Sequence, residues 1–117
     1  VSAAFHTKLM AGAAEEFKAA IACFTFAQPN CAFYSNLYGK RLTDFADMPA
    51  YLSAHICSPV RFVAELEAMN ADGIDAYVEL GPGKVLTGLV KKTWRTARAY
   101  NIENCETLDK ALAALKA

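Results

Sequence analysis

AYVELGPGKVLTGLV, residues 76–90, joins a short apolar strand pattern to a glycine-rich turn and a helical pattern. The strand pattern covers residues 76–80, the turn is Gly81-Pro82-Gly83, and apolar residues recur at helical spacing over residues 85–90. A second strand pattern follows at Arg98-Ala99-Tyr100-Asn101-Ile102. Strands that alternate with helices predict parallel pairing and right-handed crossovers, which is the pattern of an α/β fold.

The remainder of the chain carries four helical patterns and one more short strand. The strand is predicted at Cys31-Ala32-Phe33-Tyr34-Ser35-Asn36 and is closed by Gly39. Asp47-Met48-Pro49 predicts a helix start, and Asn104 predicts the cap of a last helix. The predicted inward-facing residues of the four helices are Met10, Ala14, Phe17, Ile21 and Phe24; Tyr51, Leu52 and Ile56; Phe62, Val63, Leu66 and Met69; and Leu108, Leu112 and Leu115.

Composition excludes several classes of function. The 117 residues carry 12 Lys and Arg against 12 Asp and Glu, so we expect neither a nucleic-acid partner nor an anionic membrane partner. The four cysteines, at positions 23, 31, 57 and 105, are irregularly spaced, which predicts no metal site and no disulfide framework. Reduced thiols indicate a cytoplasmic protein. No apolar run approaches the length of a membrane span.

Two features indicate that the chain is part of something larger. A hydrophobic content of 55% suits an element that packs against more protein. The first residue is Val1 rather than methionine, so we expect a fragment or a processed product, with an exposed apolar patch where the missing part packs.

His6 and the turn Gly81-Pro82-Gly83-Lys84 are the two candidate sites that the residues themselves suggest. A histidine can act as an acid or a base, but it needs a nucleophile, and none of the serines stands in a Gly-x-Ser-x-Gly turn. For a lone histidine, packing or capping is the more common role. Lys84 is followed by valine rather than Ser or Thr, so the glycine turn is better explained as a structural turn than as a phosphate-binding loop.

At these residues the chain resembles the malonyl-CoA:acyl carrier protein transacylases. The resemblance covers the whole chain, in the family's order and spacing, and corresponds to the C-terminal portion of that enzyme. Four blocks carry it: residues 1–14 with Phe5-His6, then Ser35-Asn36-Leu37-Tyr38-Gly39-Lys40, Ser58-Pro59-Val60-Arg61-Phe62, and Glu79-Leu80-Gly81-Pro82-Gly83-Lys84-Val85-Leu86.

The resemblance implies a role for His6 and for the backbone of His55. His6 matches the catalytic histidine that activates a serine and later protonates the leaving thiolate. The family orients this histidine through a main-chain carbonyl, which here belongs to His55. The family often has glutamine at that position, so the His55 side chain is a departure, which we interpret as a simple substitution rather than a second base. Ala4 is another departure, since many members have proline there.

The resemblance also implies the fold and what the chain lacks. Residues 1–117 would form the C-terminal part of the large α/β-hydrolase-like subdomain, with its parallel sheet incomplete without the upstream chain. The family's nucleophilic serine, oxyanion-hole segment and malonate-binding arginine all lie upstream, as does its small ferredoxin-like subdomain. Arg61 is not that arginine, and we interpret it as an exposed helix residue. The chain alone is therefore expected to be inactive.

The implied function is malonyl transfer from malonyl-CoA to the phosphopantetheine thiol of acyl carrier protein, in fatty acid biosynthesis. The expected partners are acyl carrier protein, malonyl-CoA and the serine-bearing N-terminal part of the enzyme, with no metal or redox cofactor. Two alternatives stay open. The chain could be a piece of a polyketide synthase acyltransferase domain, which its Leu-Asp-Lys-Ala-Leu-Ala-Ala-Leu ending disfavours, or a noncatalytic α/β module that docks a partner.

Overall fold

The computed structural model describes residues 4–116 and divides into two compact units. The first unit ends at Met69 and the second begins at Asn70. Residues 1–3, which include Ser2 and open the first matched block, and residue 117 lie outside the described residues.

The first unit contains helices and one small antiparallel sheet. A 3₁₀ helix at Lys8–Met10 leads into α1, and the later elements follow in chain order. The bounds are α1 Ala11–Ile21, β1 Phe33–Ser35, β2 Lys40–Leu42, α2 Met48–Cys57 and α3 Phe62–Ala71, whose last residues lie beyond the unit boundary.

Helices α1 and α2 pack through small residues. Ala14 on α1 is 2% exposed and Ser53 on α2 is 5% exposed. The Ser53 hydroxyl donates a hydrogen bond to the Ala14 carbonyl oxygen at 2.9 Å. A short hydroxyl side chain that is bonded in this way leaves no unpaired buried group, so the two helices can approach closely.

The strand predicted near residue 33 forms an antiparallel hairpin instead of joining a parallel sheet. β1 pairs with β2, with Phe33 opposite Leu42 and Ser35 opposite Lys40. Gly39 closes the hairpin with φ 64°, and a Cβ at this position would lie 2.7 Å from the Ala64 Cβ. Both the backbone conformation and the close approach therefore require glycine here.

Helix α2 begins and ends as its sequence predicts. The Asp47 carboxylate accepts a hydrogen bond from the Ala50 amide at 3.0 Å, which satisfies one of the free amides of the first turn. The helix stops at Cys57 because Pro59 disfavours a helical conformation at the residue before it, and Ser58 is extended at φ −117° and ψ 147°. The last carbonyl groups of α2 are thus free to accept other donors.

The second unit confirms the strand, helix and strand predicted from residues 76–102. Its elements are β3 Ala76–Leu80, α4 Val85–Thr93, β4 Arg98–Ile102 and α5 Cys105–Lys116. β3 and β4 pair in parallel, in a register from Ala76 opposite Arg98 to Leu80 opposite Ile102. Helix α4 packs on both strands and α5 packs on β4, so this unit is an α/β arrangement.

Several residues predicted to face inward are exposed. The leucines of α5, at positions 108, 112 and 115, are between 38% and 42% exposed, because Ala111 is the residue of that helix that is buried. Phe24 lies beyond the end of α1 and is 64% exposed. Within residues 4–116, the helices are too short or too polar to cross a bilayer.

Candidate active site

The main chain of His6 is held in an unusual conformation at the end of α2. Its φ of 64° lies in the left-handed region, which a residue with a Cβ adopts only when its surroundings impose it. The His6 amide donates a hydrogen bond to the Ile56 carbonyl oxygen at 2.8 Å. This bond satisfies one of the free carbonyl groups at the end of α2. It also fixes the position of the His6 backbone, from which the side chain extends.

The His6 ring is held by the neighbouring carbonyl of the same helix end. His6 Nδ1 lies 3.0 Å from the His55 carbonyl oxygen, which also receives the Ser58 amide at 3.4 Å. Since a carbonyl oxygen only accepts, Nδ1 carries the hydrogen, and in the neutral ring Nε2 then has the free lone pair. The structure thus places the His6 ring at the backbone carbonyl of His55, as the resemblance implies. The second ring nitrogen of His6, Nε2, keeps its free lone pair.

The His55 side chain lies beside the ring that its own carbonyl holds. The two imidazole centroids are 5.1 Å apart with planes inclined at 46°. His55 Nε2 is buried and has no hydrogen-bond partner. Burial, and then the positive charge that His6 can carry, lowers the pKa of His55 below its ordinary value of 6.5. His55 is therefore neutral at neutral pH.

Tyr51 lies against the His55 ring and is itself bonded to Ser35. The Tyr51 ring lies nearly parallel to the His55 ring, with centroids 6.4 Å apart and an interplanar angle of 19°. The Tyr51 hydroxyl donates to the Ser35 Oγ at 2.9 Å, and the same Oγ accepts the Tyr38 amide at 3.1 Å. Sequence reasoning missed this support, although the spacing of four residues between Tyr51 and His55 on one helix was a usable signal.

Two serines of the described chain have hydroxyl groups that are bonded within the fold, and a third ends α2. Ser35 is fully buried, and Ser53 is tied to α1 through the bond described above. Ser58 ends α2, and its amide bonds to His55. Arg61 is exposed, as expected, but it lies just before α3 rather than within a helix, and its amide donates to the Asn36 carbonyl oxygen at 2.8 Å. The bonded hydroxyls of Ser35 and Ser53 suit scaffolding rather than nucleophilic attack.

The glycine turn of the second unit is occupied by carboxylates of the chain itself. The Glu79 carboxylate accepts the Leu86 amide at 3.0 Å and the Thr87 amide at 2.8 Å, at the start of α4. Hydrogen bonds from Thr87 first, and from Leu86, lower the pKa of Glu79. The Glu103 carboxylate accepts the Gly83 amide at 2.8 Å. Because these amides are already bonded to negative groups, the turn is structural.

The part of the chain that the structure describes brings no three His, Cys, Asp or Glu side chains together in a way that could hold a metal ion. Its four cysteines are free thiols.

Comparison with known proteins relates the chain to one group of enzymes. The malonyl CoA-acyl carrier protein transacylase of Bacillus subtilis is 35% identical over 116 residues, which cover 99% of this chain and 37% of that protein. The crystal structure of the corresponding transacylase from Clostridium perfringens matches with a TM-score of 0.92 at 31% identity, over 99% of this chain and 37% of that one. No family model matches the chain.

A second structure is of a malonyl-transacylase in complex with its type II polyketide synthase acyl-carrier protein. It matches with a TM-score of 0.88 at 28% identity, over 97% of this chain and 37% of that one. The chain spans about 37% of the length of the relatives that it matches. Over this span, sequence and fold agree that the chain is homologous to malonyl-CoA:acyl carrier protein transacylases, which confirms the resemblance seen in the sequence.

Proposed function

We propose that the chain supplies the histidine half of a malonyl-CoA:acyl carrier protein transacylase active site. His6 is the general base and general acid in this proposal, and the carbonyl of His55 orients it. The nucleophilic serine comes from a part of the enzyme outside these residues. The observation that carries the proposal is the pair of bonds that α2 makes to His6, which holds Nδ1 and leaves Nε2 free.

The chemistry needs a basic nitrogen at Nε2 twice in each cycle, once in each half-reaction. The serine hydroxyl attacks the malonyl thioester carbonyl and gives its proton to His6 Nε2. The tetrahedral intermediate collapses, and the protonated ring gives that proton to the departing thiolate of coenzyme A. The thiol of phosphopantetheine then passes its proton to the ring and attacks the malonyl-serine ester, and the serine leaves with the proton.

The backbone carbonyl can do part of what a carboxylate does in a Ser-His-Asp triad. It fixes the tautomer and the direction of the ring, because a hydrogen on Nδ1 is required for the bond. It carries no full negative charge, so it stabilises the imidazolium less than a carboxylate would. The orientation of His6 is therefore the larger contribution of α2.

We further propose acyl carrier protein and malonyl-CoA as the substrates, with no metal or redox cofactor. The transacylase relatives carry both compounds in their name, and one of them was solved with its acyl-carrier protein. We place the reaction in fatty acid biosynthesis, with polyketide synthesis as the alternative, since the relative solved in complex acts with a type II polyketide synthase carrier.

Intact-mass detection of malonyl transfer to acyl carrier protein tests the proposal. The chain is assayed alone, and mixed with the serine-bearing portion of the Bacillus subtilis relative. We expect transfer only in the mixture, and we expect His6→Ala to reduce the rate there by about a thousandfold, within the range of general acid–base catalysis. Glu67→Gln, an exposed change on α3, is the matched control and should leave the rate unchanged.

Two outcomes would overturn parts of the proposal. Transfer by the chain alone would mean that one of its own residues is the nucleophile. Transfer in the mixture that survives His6→Ala would remove His6 from the reaction. Stable association with the serine-bearing portion but no transfer would favour a noncatalytic docking module.

A further inference from the structure

Four side chains form a continuous series that ends at His6. The Tyr38 amide and the Tyr51 hydroxyl fix Ser35, the Tyr51 ring stacks on His55, and the His55 ring lies against His6. We propose that the side chain of His55, braced by Tyr51 and Ser35, is a positioning residue that orients the His6 imidazole. The inference rests on the proposed function of His6.

The series adds a restraint that the backbone bond does not provide. A single hydrogen bond from Nδ1 to the His55 carbonyl fixes one atom of the ring, and the ring can still swing about that bond. A second ring 5.1 Å away restricts the swing, since aromatic groups at this separation attract each other in a tilted arrangement. Both restraints come from residue 55, one from its main chain and one from its side chain.

The far end of the series is buried and hydrogen-bonded. Ser35 has no exposed surface, and its Oγ is bonded on two sides. Tyr51 is 9% exposed and is anchored at its hydroxyl, so its ring has little freedom to move. Because the Tyr51 ring is itself held in place, it can restrict the His55 ring that packs against it. A positioning group requires this kind of support.

The state of the His55 ring suits this role. The rings that lie against it belong to His6 and Tyr51, and burial, which lowers the pKa of His55, keeps its own ring neutral at neutral pH. The neutral ring therefore opposes protonation of His6 less than a cation would. Its buried Nε2 has no partner, so the contribution of His55 is the shape of its ring and not a hydrogen bond.

Two substitutions separate ring shape from backbone effects, because both keep the carbonyl of residue 55. His55→Phe keeps a neutral ring and removes the unpaired nitrogen. His55→Gln removes the ring. The chain is labelled with ¹⁵N-histidine and mixed with the serine-bearing portion, and the exchange of the His6 Nδ1 hydrogen with water is measured by NMR, with His6→Gln to assign the signal.

We expect the exchange to be slow in the unsubstituted chain and in His55→Phe, and roughly three- to tenfold faster in His55→Gln, the size of effect that one aromatic contact produces. In the transfer assay, kcat should fall by a similar factor in His55→Gln with KM unchanged. An unchanged far-UV circular dichroism spectrum and a melting temperature close to that of the unsubstituted chain show that the variants fold.

Equal exchange in the unsubstituted chain and in His55→Gln would overturn the inference, as would fast exchange in His55→Phe. The NMR measurement does not depend on turnover. If no transfer occurs in the mixture, the proposed function fails while the positioning of His6 is still decided by exchange.

Discussion

The C-terminal end of α2 and the N-terminal end of α4 are both completed by side chains from other elements, with different results. At α2, two free carbonyls accept the main-chain and Nδ1 hydrogens of His6, and Nε2 of the ring is left over. At α4, two free amides bond to the carboxylate of Glu79. The first helix end presents a ring nitrogen with a free lone pair, and the second presents no comparable group.

The difference shows that a helix terminus becomes a site only if the group that completes it keeps an unused donor or acceptor. Both termini begin with the same unsatisfied backbone groups. Imidazole has two nitrogens, so one can be held while the other works. The Glu79 carboxylate uses both of its oxygens on adjacent amides of one helix, and it also matches the positive end of that helix dipole.

The largest stability effect at these termini is expected from Glu79→Gln. The substitution removes the negative charge and leaves only one acceptor for two amides, so the melting temperature of the chain should fall at neutral pH. The pKa of Glu79 is lowered from 4.5, so its stabilisation is present above 4.5 and is lost as the pH falls through the folded-state pKa. The gap between the variant and the unsubstituted chain should therefore close in acid.

Thermal unfolding followed by circular dichroism at neutral and acidic pH measures this gap. Glu106→Gln is the matched control, because Glu106 forms an exposed pair with Lys110 in the same unit and such pairs contribute little. A gap that does not depend on pH would show that the charge of Glu79 has no part in completing α4.

Glu65, in the first unit, has a pKa that is shifted in the opposite direction from that of Glu79. Glu65 is 6% exposed, its Oε2 has no hydrogen-bond partner, and burial raises its pKa. Glu65→Met, which has similar length and no charge, should stabilise the chain by about 1 kcal/mol at neutral pH, since an unpaired buried polar group costs about 1–3 kcal/mol. Because the pKa is raised from 4.5, the cost appears as the pH rises through that value.

Urea unfolding at neutral pH and near pH 4 tests whether Glu65→Met raises the free energy of unfolding and whether that change depends on pH. The gain from Glu65→Met should be larger at neutral pH than in acid, where the carboxyl is protonated. Glu67→Met changes an exposed glutamate of the same helix and should have little effect at either pH. Destabilisation by Glu65→Met at neutral pH would mean that the carboxylate has a stabilising partner.

The parts of the fold that the sequence predicted are those with local signals. The bounds of α2 follow from Asp47 at its start and from Pro59 after its end. The series of β3, α4 and β4 follows from a strand period, a glycine turn and a helical period within 27 residues, 76–102. Each of these signals acts over a few neighbouring residues, so no tertiary information was needed.

The parts that it did not predict depend on contacts between distant residues, or concern apolar faces that the structure leaves exposed. The bond from His6 to His55 joins positions 49 residues apart, and it was expected only through the resemblance. Nothing in residues 31–42 specified pairing with the next strand rather than with a distant parallel one. The leucine face of α5 has the pattern of a buried face, but in this chain it is exposed.

The smallest expected effect tests whether the two imidazoles at the end of α2 influence each other. Burial and, after it, the charge of His6 lower the pKa of His55. His6→Ala removes the second cause and keeps the first, so the pKa of His55 should rise while staying below 6.5.

Titration of the His55 ring hydrogens by NMR measures the shift. Lys8→Ala, which removes a positive charge two residues along the chain from His6, should leave the His55 titration unchanged, because Lys8 is not among the causes of the lowered pKa. An unchanged pKa in His6→Ala would mean that burial alone keeps His55 neutral, and that protonation of His6 during the reaction is not felt at the ring beside it.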